Sequence, residues 1–142
     1  MRNVVLCLAM LGVDCSAVEK PSVYMQNKLA LQRAVKIYLA FEARHDVVAG
    51  VDADLKLPEK ARFRSSLKEG YSEWIYPIAL GLEILVDEPQ RRVVVMAPRS
   101  CFGWYLLGTD DLTVKAYRYA KIEPIFKALA KRRQILAKSP LD

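Results

Sequence analysis

Leu82-Glu83-Ile84-Leu85-Val86-Asp87-Glu88-Pro89-Gln90-Arg91-Arg92-Val93-Val94-Val95-Met96-Ala97 is the stretch that decides the fold. Two apolar runs, Leu82 to Val86 and Arg92 to Ala97, flank Asp87-Glu88-Pro89-Gln90-Arg91. Branched aliphatic side chains favour a pleated strand, and an acidic segment with a proline favours a turn. The stretch therefore predicts an antiparallel hairpin, to which Cys101 to Leu107 adds a third strand.

Upstream of the hairpin, Pro21 precedes Ser22, which suits the cap of a helix running to about Val48. Leu31, Val35 and Tyr38 repeat at helical spacing, with Met25, Leu29 and Ile37 on an adjoining stripe, so this helix has a broad apolar face. Gly50 ends it. Val51-Asp52-Ala53-Asp54-Leu55-Lys56-Leu57 alternates apolar and charged residues, which predicts a short half-buried strand. Pro58 suits the first turn of a further helix that carries Phe63 and Leu67 and stops at Gly70. Ser72 then caps a short helix through Trp74, Ile75 and Ile78, limited by Pro77 and closed by Gly81.

Downstream, Thr109 or Asp110 begins a long helix with Asp111 in its first turn and cations towards its end, an order that suits the helix dipole. Pro124 divides this helix in two, and Ile125, Phe126, Leu129 and Leu136 form its apolar stripe. The chain thus reads as one α+β domain of 142 residues, mainly helical, with a small antiparallel sheet. Its parts are an apolar N-terminal segment over 1–20, a core over 22–107 and a basic C-terminal helix over 110–138.

The order helix, short strand, helix, helix, hairpin resembles the core of a winged helix. Asp87-Glu88-Pro89-Gln90-Arg91-Arg92-Val93-Val94-Val95 is similar to the wing of bacterial and archaeal regulators of the multiple-antibiotic-resistance type. The resemblance spans about half the chain and implies DNA binding, with the last long helix as a dimerisation arm. In that family the helix before the wing enters the major groove. The matching segment, Ser72 to Leu82, holds Glu73 and Pro77 but no Arg or Lys, so it lacks the cation that reads bases or grips phosphates.

Composition narrows the function. Apolar residues at 53% and charged residues at 27% exclude a disordered chain. The net charge of +6 is concentrated: Lys115, Arg118, Lys121, Lys127, Lys131, Arg132, Arg133 and Lys138 face only Glu123, so this segment carries +7 and the rest −1. A helix of this kind can follow a phosphate backbone, pack as a solvated amphipath or meet an acidic protein. Lys127, Lys131, Arg132 and Arg133 are the candidate phosphate contacts, joined by Arg91 and Arg92 at the hairpin tip. Trp74, Tyr76, Trp104 and Tyr105 read as core or interface aromatics ahead of a base-stacking platform.

Catalytic signatures are missing. His45 is the only histidine, which removes most triads and zinc sites. A Cys101–His45 nucleophile pair has no supporting motif. Asp52 and Asp54, with Lys56, are the one set that suggests Mg²⁺-dependent cleavage, though a half-buried strand needs polar residues on its wet face in any case. The glycines form no phosphate-binding loop, so no cofactor is expected.

Cys7, Cys15 and Cys101 have no metal-ligand spacing and read as buried thiols of a reducing compartment, with a Cys7–Cys15 or Cys15–Cys101 bridge as the alternative. The scarcity of Asn and Gln hints at a hot habitat. Arg2 and the apolar run from Val4 to Val13 resemble a signal peptide only loosely, because the run is short and Asp14 ends it. It reads as a core element, and no later stretch suits a membrane.

The expectation is a non-enzymatic, cytoplasmic or nucleoprotein-particle protein, a regulator or a virion subunit. It contacts DNA or RNA through the basic C-terminal helix and forms a homo-oligomer or part of a larger assembly. The alternative is an assembly subunit with no nucleic-acid contact, and the third reading is a metal-dependent nuclease using Asp52 and Asp54.

Overall fold

The computed structural model describes residues 23–65 and 70–138, so the apolar run from Val4 to Val13, Cys7, Cys15, the Ser22 cap and Leu67 lie outside the described residues. The first helix, α1 (Val23–Arg44), buries Asn27, Ala30, Leu31, Ala34, Val35 and Tyr38, which recur at three- and four-residue steps. That periodicity makes one stripe face the sheet. Met25 and Leu29, on the adjoining stripe, remain exposed.

The hairpin read at 82–97 is present. β3 (Leu85–Val86) pairs antiparallel with β4 (Arg91–Met96), across a turn containing a cis Glu88–Pro89 bond. β5 (Trp104–Thr109) and β6 (Val114–Arg118) complete a four-stranded sheet in the order β3-β4-β5-β6. The register shifts between Val93 and Val95. That bulge changes the phase of β4: Val94 and Val95 join the cluster under α1, while Val93 and Met96 join the other one.

The C-terminal helix begins later than its sequence suggests. Asp111 accepts from the Thr109 hydroxyl at 2.6 Å and from the Thr113 amide at 3.2 Å, so it makes a tight turn between strands rather than opening a helix. β6 follows, paired with β5 from Gly108↔Val114 to Trp104↔Arg118. The helix, α3 by chain order, spans Tyr119–Lys138 and runs unbroken through Pro124, which does not divide it. Its Ile122 and Leu129 pack with Val93, Met96 and Leu107 on the sheet face opposite α1. Gly108 lets α1 approach: a Cβ there would lie 2.3 Å from Val35 Cγ2.

Residues 51–82 depart most from their sequence reading. The alternating segment forms no strand. It contains one helical turn, α2 (Asp52–Leu55), closed by Lys56 in the left-handed region at φ 52°. Asp54 accepts from the backbone N–H of Gly50 at 2.9 Å and Val51 at 3.3 Å, a local bond that competes with a ladder.

Among the described residues, neither expected helix of 58–82 forms. A 3-10 turn (Glu59–Ala61) leads to β1 (Phe63–Arg64), paired antiparallel with β2 (Tyr71–Ser72). Ile75 bridges Met96, and a second 3-10 turn (Pro77–Leu80) ends at Gly81. Pro77 explains the extended approach, because its ring holds Tyr76 out of helical conformation, at φ −117° and ψ 91°. The Trp74 indole donates to the Ala61 carbonyl at 2.8 Å and ties the two extended pieces together. The segment that the winged-helix resemblance would set in the major groove is therefore strand, bridge and 3-10 turn. The α+β class stands, with α1 and α3 on opposite faces of the larger sheet. Among the described residues, no helix is long and apolar enough to cross a membrane.

Candidate nucleic-acid interface

Helical geometry sorts the cations of α3. At roughly 100° per residue, Lys127 and Lys131 lie about 160° and 200° round the helix from Leu129, so they point away from the sheet. Both are exposed, and Lys127 pairs with Glu123 at 3.2 Å. Arg132 and Arg133 instead flank the buried stripe, within about 60° of Leu129. The Arg132 Nε donates to the Leu80 carbonyl at 2.7 Å and its guanidinium lies over Gly81, anchoring the helix to the second 3-10 turn. Arg133 is exposed. Among the described residues neither Lys131 nor Arg133 makes an ion pair.

Arg91 and Arg92 are not free at a wing tip. Arg91 bonds Asp87 at 2.6 Å and Asp111 at 3.1 Å. Arg92 grips both oxygens of Glu42, at 2.8 and 3.0 Å, and approaches Asp110 at 3.6 Å. The hydrogen bond from Arg92 holds the Glu42 carboxyl below its ordinary range. The Tyr117 hydroxyl, 2.8 Å away, does the most to lower Asp87, assisted by Arg91 and Lys115.

The carboxylates weighed for metal chemistry diverge. Asp54 is a backbone cap, as described above. Asp52 is buried, and its Oδ1 accepts from the Tyr76 hydroxyl at 2.6 Å and the Trp74 amide at 3.3 Å. Its Oδ2 lies 3.9 Å from the Arg62 Nε. Burial raises the Asp52 carboxyl against these hydrogen bonds, and burial together with Asp52 raises the Tyr76 hydroxyl. Among the described residues, no three His, Cys, Asp or Glu side chains gather where they could hold a metal ion.

Cys101 is buried and accepts from the Asn27 amide at 3.3 Å, whereas His45 is exposed and stacks on Phe41 at 4.2 Å. Trp74 and Tyr76 are core residues. Tyr105 packs edge-on against Phe126, and Trp104 is 37% exposed beneath the Arg118 guanidinium, 4.1 Å from its ring centre.

A second cationic surface had no counterpart in the sequence reading. Arg33 of α1 faces Lys60, Arg62 and Arg64 across a cleft that also includes Glu59 and Tyr71. Its signal is the basic-apolar-basic triplet Arg62-Phe63-Arg64. On a helix residues 62 and 64 diverge, whereas on a strand they share a face. The helical reading of this stretch hid the pair. No protein-family model matches the chain, nor does any curated protein or solved structure.

Proposed function

We propose that this chain is a non-enzymatic protein that binds the phosphate backbone of DNA or RNA, without strong base reading, through the outer face of α3. The supporting observation is the outward ridge of Lys127 and Lys131, joined at the flank by exposed Arg133. Counterion release from phosphates neutralised by such residues would supply the affinity. Arg132 belongs to the architecture, and Arg91 and Arg92 have their charge answered by carboxylates, so none of these three is a principal contact. The reading needs no helix in a groove and places the protein in the cytoplasm or a nucleoprotein particle. Salt titration of binding to unrelated duplex DNA and RNA tests it. Lys131→Gln with Arg133→Gln should weaken binding and reduce the salt slope by about 0.9 per lost contact.

The second reading, a protein-assembly subunit, is favoured by Ile135 and Leu136, 43% and 44% exposed on the last turns of α3. Absence of binding even at low salt would overturn the first reading and leave this one.

A further inference from the structure

The cleft between α1 and the β1–β2 hairpin has a volume of about 220 Å³ and opens to solvent. Among the described residues, its walls carry Arg33, Lys60, Arg62 and Arg64 against a single carboxylate, Glu59. That carboxylate is engaged by the Tyr71 hydroxyl. The guanidiniums here have partners unlike those of Arg91 and Arg92. Arg33 donates to the Lys60 carbonyl at 3.1 Å, and Arg62 lies 5.0 Å from the centre of the Tyr71 ring. A carbonyl and an aromatic face orient a guanidinium without neutralising it. On its other side Arg62 shares a pocket with Asp52 and Glu73, and the Asp52 Oδ2, on a carboxyl raised by burial, lies 3.9 Å from the Arg62 Nε.

The walls are also fixed relative to one another. Asn27, fully buried on α1, accepts from the Arg64 amide at 2.7 Å and donates to the Arg64 carbonyl at 2.9 Å. This double bond pattern copies a strand neighbour and clamps β1 to the helix, which sets the distance from Arg33 to Arg64. A preorganised set of forked donors whose cations outnumber the carboxylates among the described residues suits a tetrahedral oxyanion. Small-molecule sites usually run from roughly 300 to 1,000 Å³, so this smaller cleft suits a phosphoryl group with a short appendage.

We propose that the cleft is a phosphate-binding site, with Arg33 and Arg64 as the opposed donors and Arg62 and Lys60 completing the charge. The phosphate can come from the end of a nucleic-acid strand or from a small phosphorylated molecule. The site is separate from the outer face of α3 and does not depend on it.

The test uses the full chain and inorganic pyrophosphate at constant ionic strength, with chloride as the reference anion, read by calorimetric titration and thermal unfolding. Pyrophosphate should bind and raise the melting temperature. Affinity should fall roughly tenfold for each guanidinium removed in Arg33→Gln with Arg64→Gln. Glu59→Gln, which deletes the opposing charge, should tighten binding several-fold and keeps the test decisive if the double variant folds poorly. Two further arms compare one oligonucleotide with a 5′-phosphate or a 5′-hydroxyl end. Preference for the phosphorylated end identifies a strand terminus, and equal affinity alongside retained pyrophosphate binding identifies a small phosphorylated ligand. No pyrophosphate response beyond chloride, or an unchanged affinity in the charge variants, overturns the proposal. Because the pyrophosphate response decides the proposal, failure of duplex binding through α3 leaves it standing, and its own failure leaves α3 untouched.

Discussion

Phe102 occupies a position that its side chain does not favour. It and Gly103 form the two-residue connection between Cys101 and Trp104, with φ values of 54° and 87°. Two successive left-handed residues suit Asn-Gly, because a Cβ in that region crowds the following carbonyl at a cost of about 1–2 kcal/mol. The ring is 71% exposed, so burial returns little of this. Phe102→Asn should therefore stabilise the fold by about 1 kcal/mol, visible as a higher urea midpoint with an unchanged slope. A lower midpoint would mean that the ring contributes packing that outweighs the strain. Gly108 presents the opposite case. Alanine would suit a strand better, yet its methyl would meet Val35 Cγ2 at 2.3 Å. Gly108→Ala should destabilise by about 1–3 kcal/mol, and Val35→Ala in the same chain should recover part of that loss.

Elements differ in how far they can be read from sequence, and the difference is one of range. α1 was legible because Leu31, Val35 and Tyr38 repeat over several turns, and only a helix gives that stripe one face. The 82–97 hairpin was legible because its strand and turn residues are adjacent. Residues 51–82 were not, because a window of seven or ten residues satisfies helix and strand alike. There the outcome rests on distant partners: Asn27 against Arg64, Trp74 against Ala61, Ile75 against Met96. The same limit affected the candidate site. The outward position of Lys127 and Lys131 follows from helical spacing, but the carboxylates that occupy Arg92 lie at Glu42 and Asp110. Nothing local announces Arg132 as an anchor either. Arg132→Gln should loosen the last turns of α3, raising amide exchange over residues 130–138 and lowering stability by about 1 kcal/mol. Lys131→Gln should leave both within error, since its side chain points into solvent.

Across the whole molecule, the +6 charge does not act as a uniform field, because the hairpin cations are matched by carboxylates, whereas on α3 Lys127 pairs with Glu123 and, among the described residues, Lys131 and Arg133 make no ion pair. This has a consequence for acid stability. Glu42, Asp87 and Asp111 are each held below their ordinary range, first by Arg92, Tyr117 and Thr109 respectively, with Arg91 assisting the latter two. A carboxyl with a lowered folded pKa contributes stability that is complete above its unfolded value, near 4, and is lost as pH falls through the folded value. Asp52 is raised, so its contribution is present below about 4 and lost as pH rises through its folded value. Three groups oppose one, and the urea midpoint should fall from pH 5 towards pH 2. Arg91→Gln removes a partner of both Asp87 and Asp111, so it should lower the midpoint at pH 6 and flatten the acid limb. If Arg91 serves the hairpin rather than phosphates, the same variant should bind duplex with an unchanged salt slope. A reduced slope would instead assign Arg91 to the interface and show that its carboxylate pairs open when nucleic acid binds.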